Sequence, residues 1–412
     1  GHSFRGAKDS ELIKFGENKA RLFMEFFSGK RDQKAEILYQ GSKKEVIINN
    51  VKKVLILTSI KTGSGHRSSS NAIEKKLKDA GYDTRQLDVF PLMGRLGRFM
   101  ENSYIPLTTK APYAYYLMER GSEHFPFVVH SQMYYRVRKQ LLKKIKEYDP
   151  DLIISVQCMF TKAISHIIRR YKLNIPFYIG IIDLVDPPAV WQDKNADMSF
   201  VPTQAVADDL IAKGFDPKKV LVSGFPVRDD IIVRDTPKTI DDKVRILMVN
   251  SSTSLHKNIR FVEEVSRLQN VSIDFICGLD EKLYNTLSAM KKRGELDDRI
   301  RIHGFVSNMN EFMNEAHVIL TKAGPNVIVE AVRSGTAIVI TGHIHGQEDN
   351  NHKYVLANGY GIVCEDPNQI YDELNDFIHS DKLKKCLENI TRHGIDNGAE
   401  FIADYVVNNI GI

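Results

Sequence analysis

Three short stretches of this chain hold residues whose type and spacing can do chemistry. The first is Thr58–Arg67, in which Gly63-Ser64-Gly65 leads into His66 after the apolar run Val54-Leu55-Ile56-Leu57. Glycines admit close backbone approach, and free amides at a helix start attract anions. The helix dipole disfavours an imidazolium at such a position, so a neutral His66 can serve as a general base; the plainer role is a polar cap. The GxxxxGK[ST] spacing of a Walker A loop is absent. The second stretch is Thr321-Lys322-Ala323-Gly324-Pro325-Asn326-Val327, again after an apolar run, with Glu330 one turn into the following helix. Its amides suit a phosphate, and Glu330 lies at the depth of a ribose diol; the plainer role of such a glutamate is a surface helix residue. The third, Gly342–Asn351, is crowded with groups that bond sugar hydroxyls. His343, His345 and Glu348 match no familiar zinc spacing, so no metal is expected. Asp149-Pro150-Asp151 reads as a turn.

Elsewhere the composition is ordinary. The chain has 412 residues, 42% hydrophobic and 26% charged, with a net charge of +5. These values suit a folded chain of two or three domains and exclude wholesale disorder and fibrous repeats. The mild positive excess permits binding to phosphates or anionic lipid but does not argue for nucleic acid. The four cysteines, Cys158, Cys277, Cys364 and Cys386, form no CxxC pair, and a reducing, cytoplasmic setting fits them. Gly1-His2-Ser3 reads as a cloning scar.

The elements that must position these loops alternate strand and helix. Val51–Thr58, Thr84–Val89, Asp151–Val156, Pro176–Ile182 and Met198–Val201 read as buried parallel strands with helices between them. The rhythm pauses in the Asp- and Pro-rich stretch 229–242. It resumes with Val244–Val249, Ser272–Cys277, Arg301–His303, Val318–Leu320 and Ala337–Ile340. This predicts an α/β protein of two doubly wound, Rossmann-like units, 51–228 and 243–390, facing a central cleft across the linker 229–242. Residues 1–50 are expected to form a helical extension with a stripe through Leu12, Phe15, Leu22, Phe23, Phe26 and Phe27, and 391–412 to end in a helix over Ala399–Asn409.

Taken together in order and spacing, Gly63-Ser64-Gly65-His66-Arg67, Ser223-Gly224-Phe225-Pro226-Val227-Arg228 and Thr321-Lys322-Ala323-Gly324-Pro325-Asn326 with Glu330, Gly346-Gln347-Glu348 and Asn351 resemble family 28 glycosyltransferases. The likeness, from about Val51 to Val363, is to the branch of monogalactosyldiacylglycerol synthases and processive diacylglycerol glucosyltransferases. It implies a GT-B fold, with an acceptor-binding first domain and a nucleotide-sugar-binding second one. The implied reaction is inverting, uses a UDP-sugar as co-substrate with no cofactor, and takes place on the inner face of the membrane. By the same resemblance His66 is the catalytic or acceptor-orienting group, with Asp183 as second candidate. Ser251, Ser252, Thr253, Phe305, Val306, Lys322, Ala323, Gly324, Pro325, Asn326, Val327, Glu330, Gln347, Glu348 and Asn351 bind the donor. Gly63, Ser64, Gly65 and Arg228 face acceptor or phosphate.

The loop Val249–Ser254 departs from the family pattern in having no glycine, and His345 stands where a proline is usual. On the acceptor side, residues 91–148 hold ten Lys/Arg against four Asp/Glu, interleaved with ten aromatics. That mixture suits an anionic membrane surface and accompanies no nucleic-acid recognition module. The expected function is hexose transfer from a UDP-sugar to a hydroxyl acceptor, a diacylglycerol or glycolipid. The competing readings are a UDP-sugar 2-epimerase of the same fold and a non-catalytic sugar or lipid binder.

Overall fold

The computed structural model describes residues 19–28, 31–40, 43–48, 51–60, 64–250, 254–344, 348–392 and 394–410. It opens with three antiparallel strands, β1 (Lys19–Ser28), β2 (Arg31–Gln40) and β3 (Lys43–Ile48), in that order. The helix expected over this region is therefore corrected from residue 19 onward; residues 1–18 lie outside the described ones. Phe23, Phe26, Phe27, Ile37, Tyr39, Val46 and Ile47 favour extended backbone, and the two-residue spacers Gly29-Lys30 and Gly41-Ser42 are of hairpin length. Ser28 pairs with Arg31 and Gln40 with Lys43, the registers such spacers dictate.

The first Rossmann-like unit follows. Its chain runs β4 (Lys53–Thr58), α1 (Ser64–Asp79), β5 (Asp83–Asp88), α2 (Arg95–Lys110), α3 (Pro112–His124), α4 (Pro126–Tyr148), β6 (Leu152–Ser155), α5 (Thr161–Arg170), β7 (Phe177–Gly180), β8 (Met198–Val201), α6 (Gln204–Ala212) and β9 (Val220–Val222). The sheet is parallel, in the order β5-β4-β6-β7-β8-β9. Val54, Ile56, Leu57, Leu152, Ile153, Ile154 and Ile179 are wholly buried, as strands covered by helices on both faces require.

The second unit runs β10 (Val244–Val249), α7 (Leu255–Ser266), β11 (Val271–Ile276), α8 (Glu281–Lys292), β12 (Ile300–His303), α9 (Met309–Glu315), β13 (Val318–Lys322), α10 (Pro325–Arg333), β14 (Ala337–Gly342), α11 (Asn351–Ala357), β15 (Gly361–Val363), α12 (Ile370–His379) and α13 (Asp381–Arg392). Its parallel sheet has the order β12-β11-β10-β13-β14-β15. In each sheet the strand order reverses at one place, between β4 and β6 and between β10 and β13. Ligands bind beyond the strand ends at such points.

The linker is tied to the second unit by buried Lys238, whose Nζ donates to Met313 O, Ala316 O and Thr336 Oγ1 at 2.6–2.8 Å. The chain then returns. The last helix, α14 (Gly398–Ile410), matches the one expected at the tail but packs on the first unit. Tyr405 lies edge-on to Tyr178 and Phe200, and Tyr82 Oη donates to Val406 O. The two strands of chain that cross between units touch backbone to backbone. Phe225 N donates to Asp396 O at 3.1 Å and Gly398 N to Phe225 O at 2.9 Å.

Gly224 sits at this crossing with φ 80°, and a Cβ there would run into the backbone of Asp396. Gly224→Ala should therefore destabilise the protein by about 2–4 kcal/mol in chemical denaturation. Gly81→Ala, with φ 94° but open space around the Cβ, should cost only about 1 kcal/mol.

Candidate functional site

Both switch points open onto one cleft. On the first-unit side, β4 leads to the start of α1, where His66 is partly buried. Its Nδ1 lies 2.6 Å from Val156 O, just beyond β6. A carbonyl only accepts, so Nδ1 carries the proton and Nε2 keeps its lone pair. Burial of the ring holds its pKa below 6.5, opposed by the Val156 bond. His66 is thus a neutral base with a defined tautomer. Ser64 and Gly65 open the same helix, whereas Gly63 lies outside the described residues.

Trp191, the chain's only tryptophan, stands beside His66 with ring centroids 6.3 Å apart. It is 1% exposed, and its Nε1 donates to Asp183 Oδ2. Burial raises the Asp183 carboxyl from 3.8 to about 6; the Trp191 bond opposes this rise, and the Glu348 carboxylate adds to it. His66 and Asp183 are therefore bridged by one indole. The sequence offered a signal for Trp191 only in its singularity and its place after a Pro187-Pro188 loop.

On the second-unit side, Gly324 caps α10 in extended conformation, Pro325 takes the first helical position, and no side chain caps the helix. Proline has no amide to satisfy, so the uncapped amides belong to Asn326 and Val327. Ala323 is buried, and its carbonyl accepts from Asn351 Nδ2 at 2.8 Å, which fixes the loop to α11. Lys322 Nζ donates to Glu348 Oε1 at 2.8 Å, and Glu348 Oε2 accepts from Ile344 N at 2.8 Å. Glu330 is 7% exposed, and burial raises its carboxyl against the pull of Arg228, whose Nε is 3.6 Å away. The Arg228 Nε and Nη2 atoms are buried and make no hydrogen bond among the described residues, although Nε also lies 3.4 Å from Asp230 Oδ1. Phe305 projects from the loop after β12, exposed, while Val306 packs against the core. Ser251, Ser252, Thr253 and Gln347 lie outside the described residues.

The two sides meet. A Cβ added at Gly65 would fall 2.8 Å from Asn326 Oδ1, and Asn326 Nδ2 donates to Ser69 Oγ at 3.4 Å. Asn350 Nδ2 donates to Asp186 across the same gap. The starts of α1 and α10 thus face each other, with His66, Asp183, Trp191, Lys322, Glu330, Glu348 and Arg228 around them. Asn326, Asn350, Asp186 and Ser69 act between units, which no local sequence signal shows. No three His, Cys, Asp or Glu side chains among the described residues are grouped to hold a metal ion.

Residues 66–227 match the family profile of monogalactosyldiacylglycerol (MGDG) synthase, and residues 250–400 match the glycosyltransferase family 28 C-terminal domain. The first unit thus carries an MGDG synthase domain and the second a family 28 glycosyltransferase C-terminal domain. The probable MGDG synthase of Nicotiana tabacum is 27% identical over 373 residues, which cover 83% of this chain and 68% of that one. That of Spinacia oleracea is 27% identical, covering 83% and 69%, and MGDG synthase 1 of Arabidopsis thaliana is 27% identical, covering 77% and 63%. Among solved structures, Acinetobacter baumannii MurG superposes with a TM-score of 0.61 at 15% identity, covering 87% of this chain and 99% of that one. The rhamnosyltransferase SpnG gives a TM-score of 0.58 at 14% identity, covering 87% and 99%. The fold is GT-B, and this glycosyltransferase carries its two expected Rossmann-like units. A UDP-N-acetylglucosamine 2-epimerase from Neisseria meningitidis shares the fold at a TM-score of 0.56, with 13% identity. The family profiles favour transfer over epimerisation.

A carboxyl that titrates at about 6 rather than 3.8 is penalised when ionised in the folded state. That penalty is complete above about pH 6 and absent below the ordinary carboxylate pKa. Asp183→Asn should therefore stabilise the protein by up to about 3 kcal/mol near pH 8 and by about half as much near pH 5, read by denaturant unfolding. Equal gains at both pH values would contradict the burial of this charge.

Proposed function

We propose that this glycosyltransferase moves a hexose from a UDP-sugar to the hydroxyl of a diacylglycerol-like lipid at an anionic membrane surface, with inversion. The observation that carries the reading is the uncapped start of α10 set directly opposite the helix that bears His66. The Asn326 and Val327 amides and the unbonded Arg228 N–H groups receive the diphosphate, and Glu330 accepts from the ribose hydroxyls. Lys322, Glu348 and Asn351 shape the sugar pocket. Phe305 and Val306 border the base.

The acceptor oxygen attacks the anomeric carbon as its proton passes to His66 Nε2. The bond from that carbon to the diphosphate breaks, and UDP leaves with the electron pair, its charge met by amides and Arg228 rather than by a required metal. One displacement inverts the anomeric centre. Asp183, tuned by Trp191, is the alternative proton acceptor.

Support for the membrane surface comes from α2–α4, where Phe99, Tyr113, Leu117, Met118, Phe125, Phe127 and Val128 are exposed among basic residues. Aromatic and basic side chains together suit a headgroup layer. No described helix is long and apolar enough to cross a membrane.

His66→Ala should lower turnover by about 10²–10⁴-fold, the usual loss of a general base, and leave UDP affinity unchanged. Glu330→Ala should do the reverse, weakening UDP binding by about 1–3 kcal/mol in calorimetry. A His66→Ala enzyme that retains full turnover would move the base to Asp183; unchanged UDP affinity in Glu330→Ala would remove the ribose from this helix.

A further inference from the structure

A second recessed site lies on the first unit, apart from every residue assigned above to donor or base. Helices α4 and α5 run side by side, and each presents every fourth residue to a groove of about 1010 Å³. His130, Tyr134 and Arg138 come from α4; Lys162, His166 and Arg170 come from α5. The two rows are in step, since the Tyr134 and His166 rings stack at 4.2 Å. Arg169 joins from α5, held by Asn195 Oδ1, and Arg138 lies over the rings of Tyr134 and Tyr135.

Among the described residues, four permanent cations line this groove and no carboxylate does. Asp193, bonded to two lining residues, is 1% exposed, and both its oxygens are engaged, one by Ser165 Oγ and the other by the backbone and side-chain nitrogens of Asn195. His130 adds the decisive feature. It is 7% exposed and lines the groove, yet neither ring nitrogen has a hydrogen-bond partner among the described residues. A buried imidazole without partners is costly unless a ligand supplies them.

We propose that the α4–α5 groove is a binding site for a phosphate-bearing ligand. A phosphate offers three oxygens to converging Arg and Lys donors and a hydroxyl or oxygen to His130, while Tyr134, Tyr135 and Phe127 flank its carbon portion. Phe127 belongs to both the groove and the exposed α2–α4 face, so a headgroup at a membrane surface can enter from that side. A free phosphomonoester has the same chemistry. The site does not depend on the nature of the transferase acceptor.

Flotation with three vesicle types tests this: phosphatidylcholine alone, phosphatidylcholine with phosphatidic acid, and phosphatidylcholine with cholesteryl hemisuccinate matched in surface charge. The wild-type protein should favour the phosphatidic acid vesicles over the carboxylate ones by roughly tenfold, and Lys162→Gln with Arg170→Gln should abolish that preference. The double variant should keep its transfer activity on a detergent-dispersed acceptor, which separates failure of this site from failure of the transferase reading. Competition by glycerol 3-phosphate would support the site with a soluble phosphate as its ligand; preference without competition would support it with a bilayer headgroup. Equal wild-type binding to both anionic vesicles, or a preference that survives in the double variant, would overturn the proposal.

Discussion

Everything chemical in this molecule depends on holding the starts of two helices from two separate sheets against each other. The two starts come so close at Gly65 that a Cβ there would touch the side-chain tip of Asn326. The approach is fixed by the double crossing of the chain at Phe225 and Asp396–Gly398, and by α14, which returns from the second unit to pack on the first. Two parallel sheets each offer anion-binding amides at their switch points. Only their apposition makes one cleft that can hold a diphosphate on one wall and a proton acceptor on the other.

Carboxylates in that cleft are largely buried, while the cations that face them reach solvent. Trp191 donates to Asp183, Lys322 to Glu348, and the two carboxylates oppose each other strongly enough to raise Asp183 further. Arg228 faces Glu330 without a hydrogen bond that satisfies its buried N–H groups. Such an incompletely paired arrangement costs stability in the empty protein and is the kind that a charged ligand completes.

The central strands were legible because a parallel strand buried on both faces is an unbroken apolar run, and Met198–Val201 and Val244–Val249 agree to the residue. Short edge strands such as β9 and β15 were not, since three residues carry no period. The β1–β3 meander was misread as helix because Leu22, Phe23, Phe26 and Phe27 fall at helical spacing, while the strand exposes Leu22, Phe23 and Met24 together and shows no alternating stripe there. For the site, His66 and the Gly324 loop stood out from glycine and strand placement, and Glu330 from its place one turn into the helix, a role the family resemblance strengthened. Trp191 and the bonds of Asn326 to Ser69 and Asn350 to Asp186 depend on tertiary contact and leave no local trace.

The most direct measurement is a crystal structure of the protein with UDP bound. The account predicts the diphosphate on the Asn326 and Val327 amides with Arg228 beside it, the ribose hydroxyls on Glu330, and the His66 ring across the cleft, still bonded to Val156 O. A diphosphate seated instead on the first unit, at the start of α1 or in the α4–α5 groove, with the α10 amides left to solvent, would contradict it.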